Sequence, residues 1–160
     1  MSFPISAALL DAIVLSVVAQ EPEGTYGYKI TQDVRGVLDI SESTLYPVLR
    51  RLQKERGITY LFIAHDLSVM RYISDRIAVI HKGNIVELAD AEELVTHAIH
   101  PYTRSLLSAI PMPNPRLERK KKLLVYDPAM HDYTQEAPQL RPSHWVLCSE
   151  QEAKDWLAEM

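Results

Sequence analysis

Two short stretches of this chain carry the side chains that could do chemistry. Residues 41–56 hold four cations against two acidic residues, and the cations are Arg50, Arg51, Lys54 and Arg56. A local excess of positive charge can bind phosphate even though the whole chain has a formal charge of −4. Residues 59–66 form an apolar run that ends in His65 and an aspartate. The two stretches indicate phosphate binding by the first and, in the second, a histidine presented at the end of a buried strand.

Composition limits the number of domains, the kinds of site and the expected location of the protein. The chain has 160 residues, 47% of them hydrophobic, which is enough to bury the core of one domain or two small ones. Its one cysteine, Cys148, excludes an intrachain disulfide and a cysteine-rich metal site, and no metal is expected. The N-terminus lacks the pattern of a signal peptide, so we expect a cytoplasmic protein. The apolar run 7–18 is interrupted by Asp11 and is too short to span a membrane, which favours a buried helix.

Three helices are predicted before residue 57. The first covers residues 5–20, the second residues 26–37, and the third begins after Ser41 as its N-cap and runs to about Glu55. The third helix carries an apolar stripe at helical spacing: Leu45, Val48, Leu49 and Leu52. Its basic side chains must therefore point away from the core that this stripe builds.

Strands and short helices are predicted after Gly57. Residues 58–64 are a continuous apolar run, typical of a strand covered on both faces, and residues 67–74 a helix. A hairpin of residues 76–81 and 84–88 turns at Lys82-Gly83. Helices 91–98 and 102–110 follow, and His144–Cys148 is a candidate strand before a last helix with the capping box of Ser149 and Glu152. We expect residues 58–64 to pair directly, in parallel, with residues 76–81.

The N-terminal part resembles the PadR family of bacterial transcription regulators. The resemblance covers residues 3–55 and rests on Tyr26–Ile30 and Ser41–Leu52. It implies a winged helix-turn-helix whose third helix enters the major groove of double-stranded DNA. The residues implied to contact DNA are Tyr28, Ser43, Thr44, Tyr46, Arg50, Arg51 and Lys54. The wing and the dimerisation helix of that family do not follow in this sequence, so only weak, salt-sensitive binding is expected.

The C-terminal part resembles the ATP-binding subunit of oligopeptide ABC importers. The resemblance covers residues 52–160 and rests on residues 59–69, 74–88 and 100–111. It implies that His65 corresponds to the switch histidine that contacts the γ-phosphate of ATP. That contact needs a phosphate-binding loop, and the pattern G-x-x-x-x-G-K-[ST] does not occur in the chain. We therefore expect no catalytic residue, no cofactor and no bound nucleotide, with His65 a vestige.

These two resemblances predict an α+β chimera. We expect a PadR-like helix-turn-helix without its wing at 1–55, a C-terminal ATPase fragment at 56–115 with a small three-stranded sheet, and a linker and importer-type extension with C-terminal helices at 116–160. The predicted function is that of a PadR-like DNA-binding fragment fused to a catalytically incomplete ATPase tail. The alternatives are a subunit fragment for oligopeptide import and a recombined or engineered chain without activity. A homodimer formed by exchange of strands or helices is a further expectation.

A plainer interpretation of the same residues remains open. Leu45 and Tyr46 would then pack the core, while Arg50, Arg51 and Lys54 would form a solvated helix face. His65 would be a structural histidine at a strand end. His81, His97 and His100 have no ligand spacing that favours a metal, and we expect His97 and His100 to serve in loops and helix caps.

Overall fold

A computed structural model describes residues 6–20, 27–38, 42–64, 67–111 and 113–159 of the chain. The chain divides into two compact units, Met1–Asp66 and Leu67–Met160. Helices and a sheet are both present, which confirms the predicted α+β class. The capping role of Ser41 and the position of His65 lie outside the described residues.

The first unit is built from three helices, as predicted. They are α1 (Ala7–Ala19), α2 (Gly27–Val37) and α3 (Glu42–Arg56). The predicted stripe of α3 is buried, and it packs with Leu10 and Val14 of α1 and with Ile30 and Val34 of α2. Apolar residues spaced three and four apart lie on one side of a helix, so three such sides meet in one core.

Helix α1 is less buried than its composition predicts. Only Leu10 and Val14 are buried, while Leu9 is exposed. The expectation of a helix buried on all sides is therefore wrong for the described residues. A helix in a cluster of three can turn only one stripe toward its two neighbours, whatever its other side chains are.

Residues 57–64 do not form the predicted strand. They have neither helix nor strand structure, and their side chains alternate between exposed and half-buried up to Ile63. Ile58, Tyr60 and Phe62 pack on the core of the first unit, while Leu61 and Ile63 are 72% and 67% exposed. The expected parallel pairing with residues 76–81 is wrong as well. Among the described residues, that strand pairs only with the strand after it, in an antiparallel ladder. An extended segment becomes a sheet strand only where another strand meets its backbone groups.

The second unit contains a four-stranded antiparallel sheet, one strand more than predicted. Its strands are β1 (Arg76–His81), β2 (Asn84–Asp90), β3 (Gln139–Arg141) and β4 (His144–Val146), in the order β1-β2-β4-β3. The β1–β2 hairpin turns at Lys82 and Gly83, as predicted, with φ of 48° and 83°. Positive φ at both central residues matches the twist of a two-residue hairpin, and glycine adopts it without strain.

Short helices complete the second unit. They are α4 (Leu67–Ile73), α5 (Ala91–Thr96), α6 (Pro101–Ala109), α7 (Pro115–Glu118) and α8 (Glu150–Ala158), with a 3-10 turn at Pro128–Met130. The predicted capping box of α8 is present, since Ser149 and Glu152 bond each other's backbone N–H groups. Among the described residues, no helix has the length and apolarity needed to cross a lipid bilayer.

Candidate functional site

The outer side of α3 carries two of the predicted DNA contacts. Arg50 and Lys54 lie one turn apart, opposite the buried stripe of Leu45, Leu49 and Leu52. Lys54 is exposed, and the Arg50 guanidinium donates a 2.6 Å hydrogen bond to Oε1 of Gln53. Burial of the stripe therefore fixes the direction in which both cations project.

The other predicted contacts lie on the flanks of α3 or elsewhere. Thr44 is exposed, and Tyr46 is half-buried with its ring edge-on to Phe62 at a centroid distance of 6.4 Å. Arg51 turns toward α1 and forms an ion pair with Asp11. Tyr28 lies in α2 and Ser43 in α3, and their side chains are outside the described part of the structure, as is His65. Arg51 is therefore less available for phosphate than Lys54, because the carboxylate of Asp11 holds its side chain.

A buried hydrogen-bond network around Glu87 joins several elements of the second unit. Glu87 of β2 is buried, and its Oε1 accepts hydrogen bonds of 2.7 Å from the backbone N–H of Ile99 and from Nε2 of His144. Its Oε2 accepts a 3.3 Å bond from the N–H of His100. A buried carboxylate is stable only when its oxygens are satisfied in this way. Glu87 therefore joins β2, β4 and the start of α6.

The network continues from His144 toward the surface. Nδ1 of His144 lies 3.5 Å from Oε1 of Glu93 and makes no hydrogen bond. Glu93 accepts a 3.2 Å hydrogen bond from Arg141. Burial acts to raise the pKa of Glu93, but Arg141 and His144 outweigh it and lower that pKa. Glu87, His144, Glu93 and Arg141 thus lie in sequence, and they link α5 to both strands of the β3–β4 pair.

Aromatic rings and histidines form a second cluster in the same unit. Nδ1 of His81 lies 2.7 Å from the hydroxyl of Tyr133, which is also 2.7 Å from the hydroxyl of Tyr126. His131 stacks on Tyr126, and its Nδ1 lies 3.0 Å from Oε1 of Glu152. Burial, together with the hydroxyl of Tyr133, raises the pKa of Tyr126. These groups form a hydrogen-bonded packing cluster, and no group of metal-ligating side chains occurs among the residues with described positions.

His100 confirms the expected capping role. Its Nδ1 accepts a 3.1 Å hydrogen bond from the N–H of Tyr102 at the start of α6. Burial, together with the nearby His131, lowers the pKa of His100 to about 4. A neutral imidazole is the form that can accept a hydrogen bond at Nδ1. The capping hydrogen bond and the lowered pKa therefore both favour the neutral form of His100. His97 follows α5, and its ring contacts Thr96 and Glu93.

Sequence reasoning missed Glu87 and His144. Both were visible as ionisable residues within apolar strands, a pattern that favours a buried pair. Their partnership was not visible, because the two residues are far apart in the chain. A cavity of about 270 Å³ in the same unit was missed as well, and its lining includes Arg104, His131 and Trp156.

Two family models match separate stretches of the chain. The model of the transcriptional regulator PadR-like family matches residues 14–61, and the model of the oligopeptide/dipeptide transporter C-terminal region matches residues 86–135. Both resemblances inferred from the sequence are therefore confirmed. The first unit carries PadR-like sequence, and the second unit carries sequence of the oligopeptide transporter C-terminal region.

The similar curated proteins include oligopeptide transport ATP-binding proteins. The oligopeptide transport ATP-binding protein OppF of Streptococcus pyogenes serotype M1 is 51% identical over 137 residues, which are 83% of this chain and 45% of that protein. AmiF of Streptococcus pneumoniae serotype 4 is 54% identical over 129 residues, 78% of this chain and 42% of that protein. OppF of Bacillus subtilis is 44% identical over 146 residues, 88% of this chain and 47% of that protein.

This chain spans less than half the length of these relatives. The aligned stretches are longer than residues 52–160, so similarity to the transport proteins continues N-terminal of Leu52. It therefore overlaps the PadR-like match at 14–61. The overlap includes α3 and the segment after it, and it reaches back into α2.

Proposed function

We propose that the chain is a PadR-like DNA-binding fragment fused to an ATPase tail that does not hydrolyse ATP. The observation that supports DNA binding is the placement of Arg50 and Lys54 on the side of α3 away from its buried stripe. Two cations one turn apart can contact neighbouring phosphates of one strand, and the helix between them is held rigidly by the core. Thr44 lies exposed nearer the start of the same helix.

The proposed binding is weak because few contacts are available. Arg51 is paired with Asp11, and the ring of Tyr46 packs on Phe62. We expect about two or three phosphate contacts, with Tyr28 and Ser43 as further candidates, and a log–log salt slope of about −2 to −3. Such binding positions a protein on DNA more than it selects a sequence.

Fluorescence anisotropy with a labelled random duplex at low salt tests this proposal. Arg50→Ala and Lys54→Ala are each expected to weaken binding several-fold and to reduce the salt slope by about one. Lys154→Ala is the matched control, because Lys154 is an exposed helical lysine of the second unit. Equal effects of Lys54→Ala and Lys154→Ala would show that α3 is not the contact surface.

We further propose that the chain neither binds nor hydrolyses ATP on its own. The support is its sequence, in which none of the five glycines is followed by the Lys-Ser or Lys-Thr of a phosphate-binding loop. His65 then has no phosphate to contact, and the proposal includes no cofactor. Titration with a fluorescent ATP analogue tests it, and saturable binding that unlabelled ATP reverses would refute it. The proposed location is the cytoplasm.

The competing function is a contact with an oligopeptide importer. It is favoured by the match of residues 86–135 to the transporter C-terminal region and by the names of the relatives. In that case the second unit would bind another transporter subunit and α3 would be a solvated face. Co-purification with importer subunits, together with no measurable affinity for duplex DNA, would favour this function over the first.

The same proposal includes a homodimer formed through residues 57–64. Between described residues, this segment makes no backbone hydrogen bond beyond that of Gly57 to α3, and Leu61 and Ile63 project into solvent. It contains no charge and no proline, so two copies can pair as antiparallel strands without repulsion. Such pairing would also hold two α3 helices at a fixed separation, which binding to two half-sites requires.

A further inference from the structure

Residues 116–125 form a basic–apolar strip on the surface of the second unit. Its exposed cations are Arg116, Arg119, Lys120 and Lys122, and its exposed apolar side chains are Leu117, Leu123, Leu124 and Val125. Leu123 is 65% exposed and Val125 is 92% exposed. Large apolar side chains this exposed, next to several cations, mark an interaction surface. The DNA-binding proposal uses none of these residues.

The strip is anchored at its C-terminal end. The Oγ of Ser105 in α6 donates a 2.8 Å hydrogen bond to the carbonyl of Leu124, and the N–H of Leu124 donates a 3.0 Å bond to the Oγ of Ser108. Both backbone groups of Leu124 thus face α6. Leu123 and Val125 flank this anchor, and their side chains are exposed to solvent.

The charge of the strip is strongly positive. Lys121 is the one cation turned inward, where its Nζ contacts the carbonyl of Ile110 and lies 3.8 Å from Glu118. Glu118 is the only acidic residue between positions 116 and 125. Within the part of the chain that the structure describes, the four exposed cations form no ion pair. Four positive side chains therefore lie in the same strip as the exposed apolar side chains, without an ion-pair partner among the described residues.

We propose that this strip docks on the surface of a lipid bilayer that contains anionic headgroups. Cations attract such a surface, and long basic side chains keep their charge among headgroups while apolar neighbours enter the acyl boundary. Phosphate in duplex DNA would attract the cations equally, but it offers nothing to Leu123 and Val125. The exposed apolar pair favours the bilayer over nucleic acid.

Co-flotation of the full chain with large unilamellar vesicles tests this proposal. Vesicles of phosphatidylcholine alone are compared with vesicles that also contain phosphatidylglycerol, at about 0.05 M and about 0.5 M NaCl. Binding is expected only to the anionic vesicles and to weaken at the higher salt. Lys120→Gln with Lys122→Gln should weaken it by about 25-fold, from about fivefold for each cation.

Apolar variants separate the bilayer from other polyanions. Leu123→Asn with Val125→Asn is expected to weaken vesicle binding by about tenfold or more and to leave duplex DNA affinity unchanged. Lys154→Gln and Leu157→Asn are the matched controls, because both residues are exposed on α8. Thermal unfolding checks that each variant is folded, which the exposure of the substituted side chains predicts.

Three outcomes would overturn the proposal. The first is no binding of the wild-type chain to anionic vesicles. The second is an equal loss in the α8 control variants. The third is a loss of duplex DNA affinity in the double lysine variant while the Leu123 and Val125 variant still binds vesicles normally, which would assign the strip to nucleic acid.

Discussion

Replacing Glu87 by alanine tests the buried hydrogen-bond network of the second unit. Glu87→Ala removes the acceptor of three hydrogen bonds, from the N–H groups of Ile99 and His100 and from Nε2 of His144. Each donor left buried and unsatisfied costs about 1–3 kcal/mol, and the 3.3 Å bond belongs at the low end. The expected loss is about 3–6 kcal/mol of the free energy of unfolding, a large part of what a domain of this size has.

Urea unfolding followed by tryptophan fluorescence measures this loss. Both tryptophans of the chain, Trp145 and Trp156, lie in the second unit, so their emission reports on that unit alone. Glu92→Ala is the matched control, since Glu92 is 68% exposed and pairs with Arg71 at the surface. Its expected cost is below about 1 kcal/mol. If Glu87→Ala costs no more than Glu92→Ala, Glu87 does not hold the unit together.

Three further predictions concern single residues. Asp11→Asn is expected to release Arg51 and to raise duplex DNA affinity about two- to fivefold in anisotropy, at a cost of at most about 1 kcal/mol in the unfolding of the first unit. The pKa of His100 is about 4 in the folded chain and rises to the ordinary histidine value of 6.5 on unfolding. The unfolded chain therefore binds more protons between these two values, and stability falls by up to about 3 kcal/mol as pH drops from 6.5 to 4. His100→Asn, which keeps a capping acceptor but cannot titrate, should flatten urea-unfolding free energies over that range, and an unchanged pH dependence would assign the effect to other groups. Leu61→Lys should change the mass measured by sedimentation from that of a dimer to that of a monomer. The variant is expected to stay folded, because Leu61 is 72% exposed. A mass that does not change would exclude pairing through this segment.

Local rules predicted most of the helices and the hairpin. The stripe of α3, the turn at Lys82-Gly83 and the capping box at Ser149 each depend on residues within a few positions of one another, and all three are present. The role of His100 as a cap was visible for the same reason. Structure that depends only on residues within one turn or one helix end can be inferred from the sequence alone.

Features that depend on distant partners were not predictable. Residues 57–64 have the composition of a buried strand, but a strand also needs a neighbour, and here Ile58, Tyr60 and Phe62 pack on helices. β3 was missed because its three residues gain strand structure only from β4. The approach of His144 to Glu87 depends on the pairing of β2 with β4, which no local pattern specifies.

A salt titration of duplex DNA binding tests the central claim most directly. Anisotropy of a labelled duplex, measured with the wild-type chain across a series of NaCl concentrations, gives the number of phosphates that α3 contacts. The account predicts measurable binding at low salt with a log–log slope of about −2 to −3, reduced by about one in Arg50→Ala. No binding at low salt, or a slope that Arg50→Ala does not change, would contradict the claim that α3 is a DNA-contacting helix.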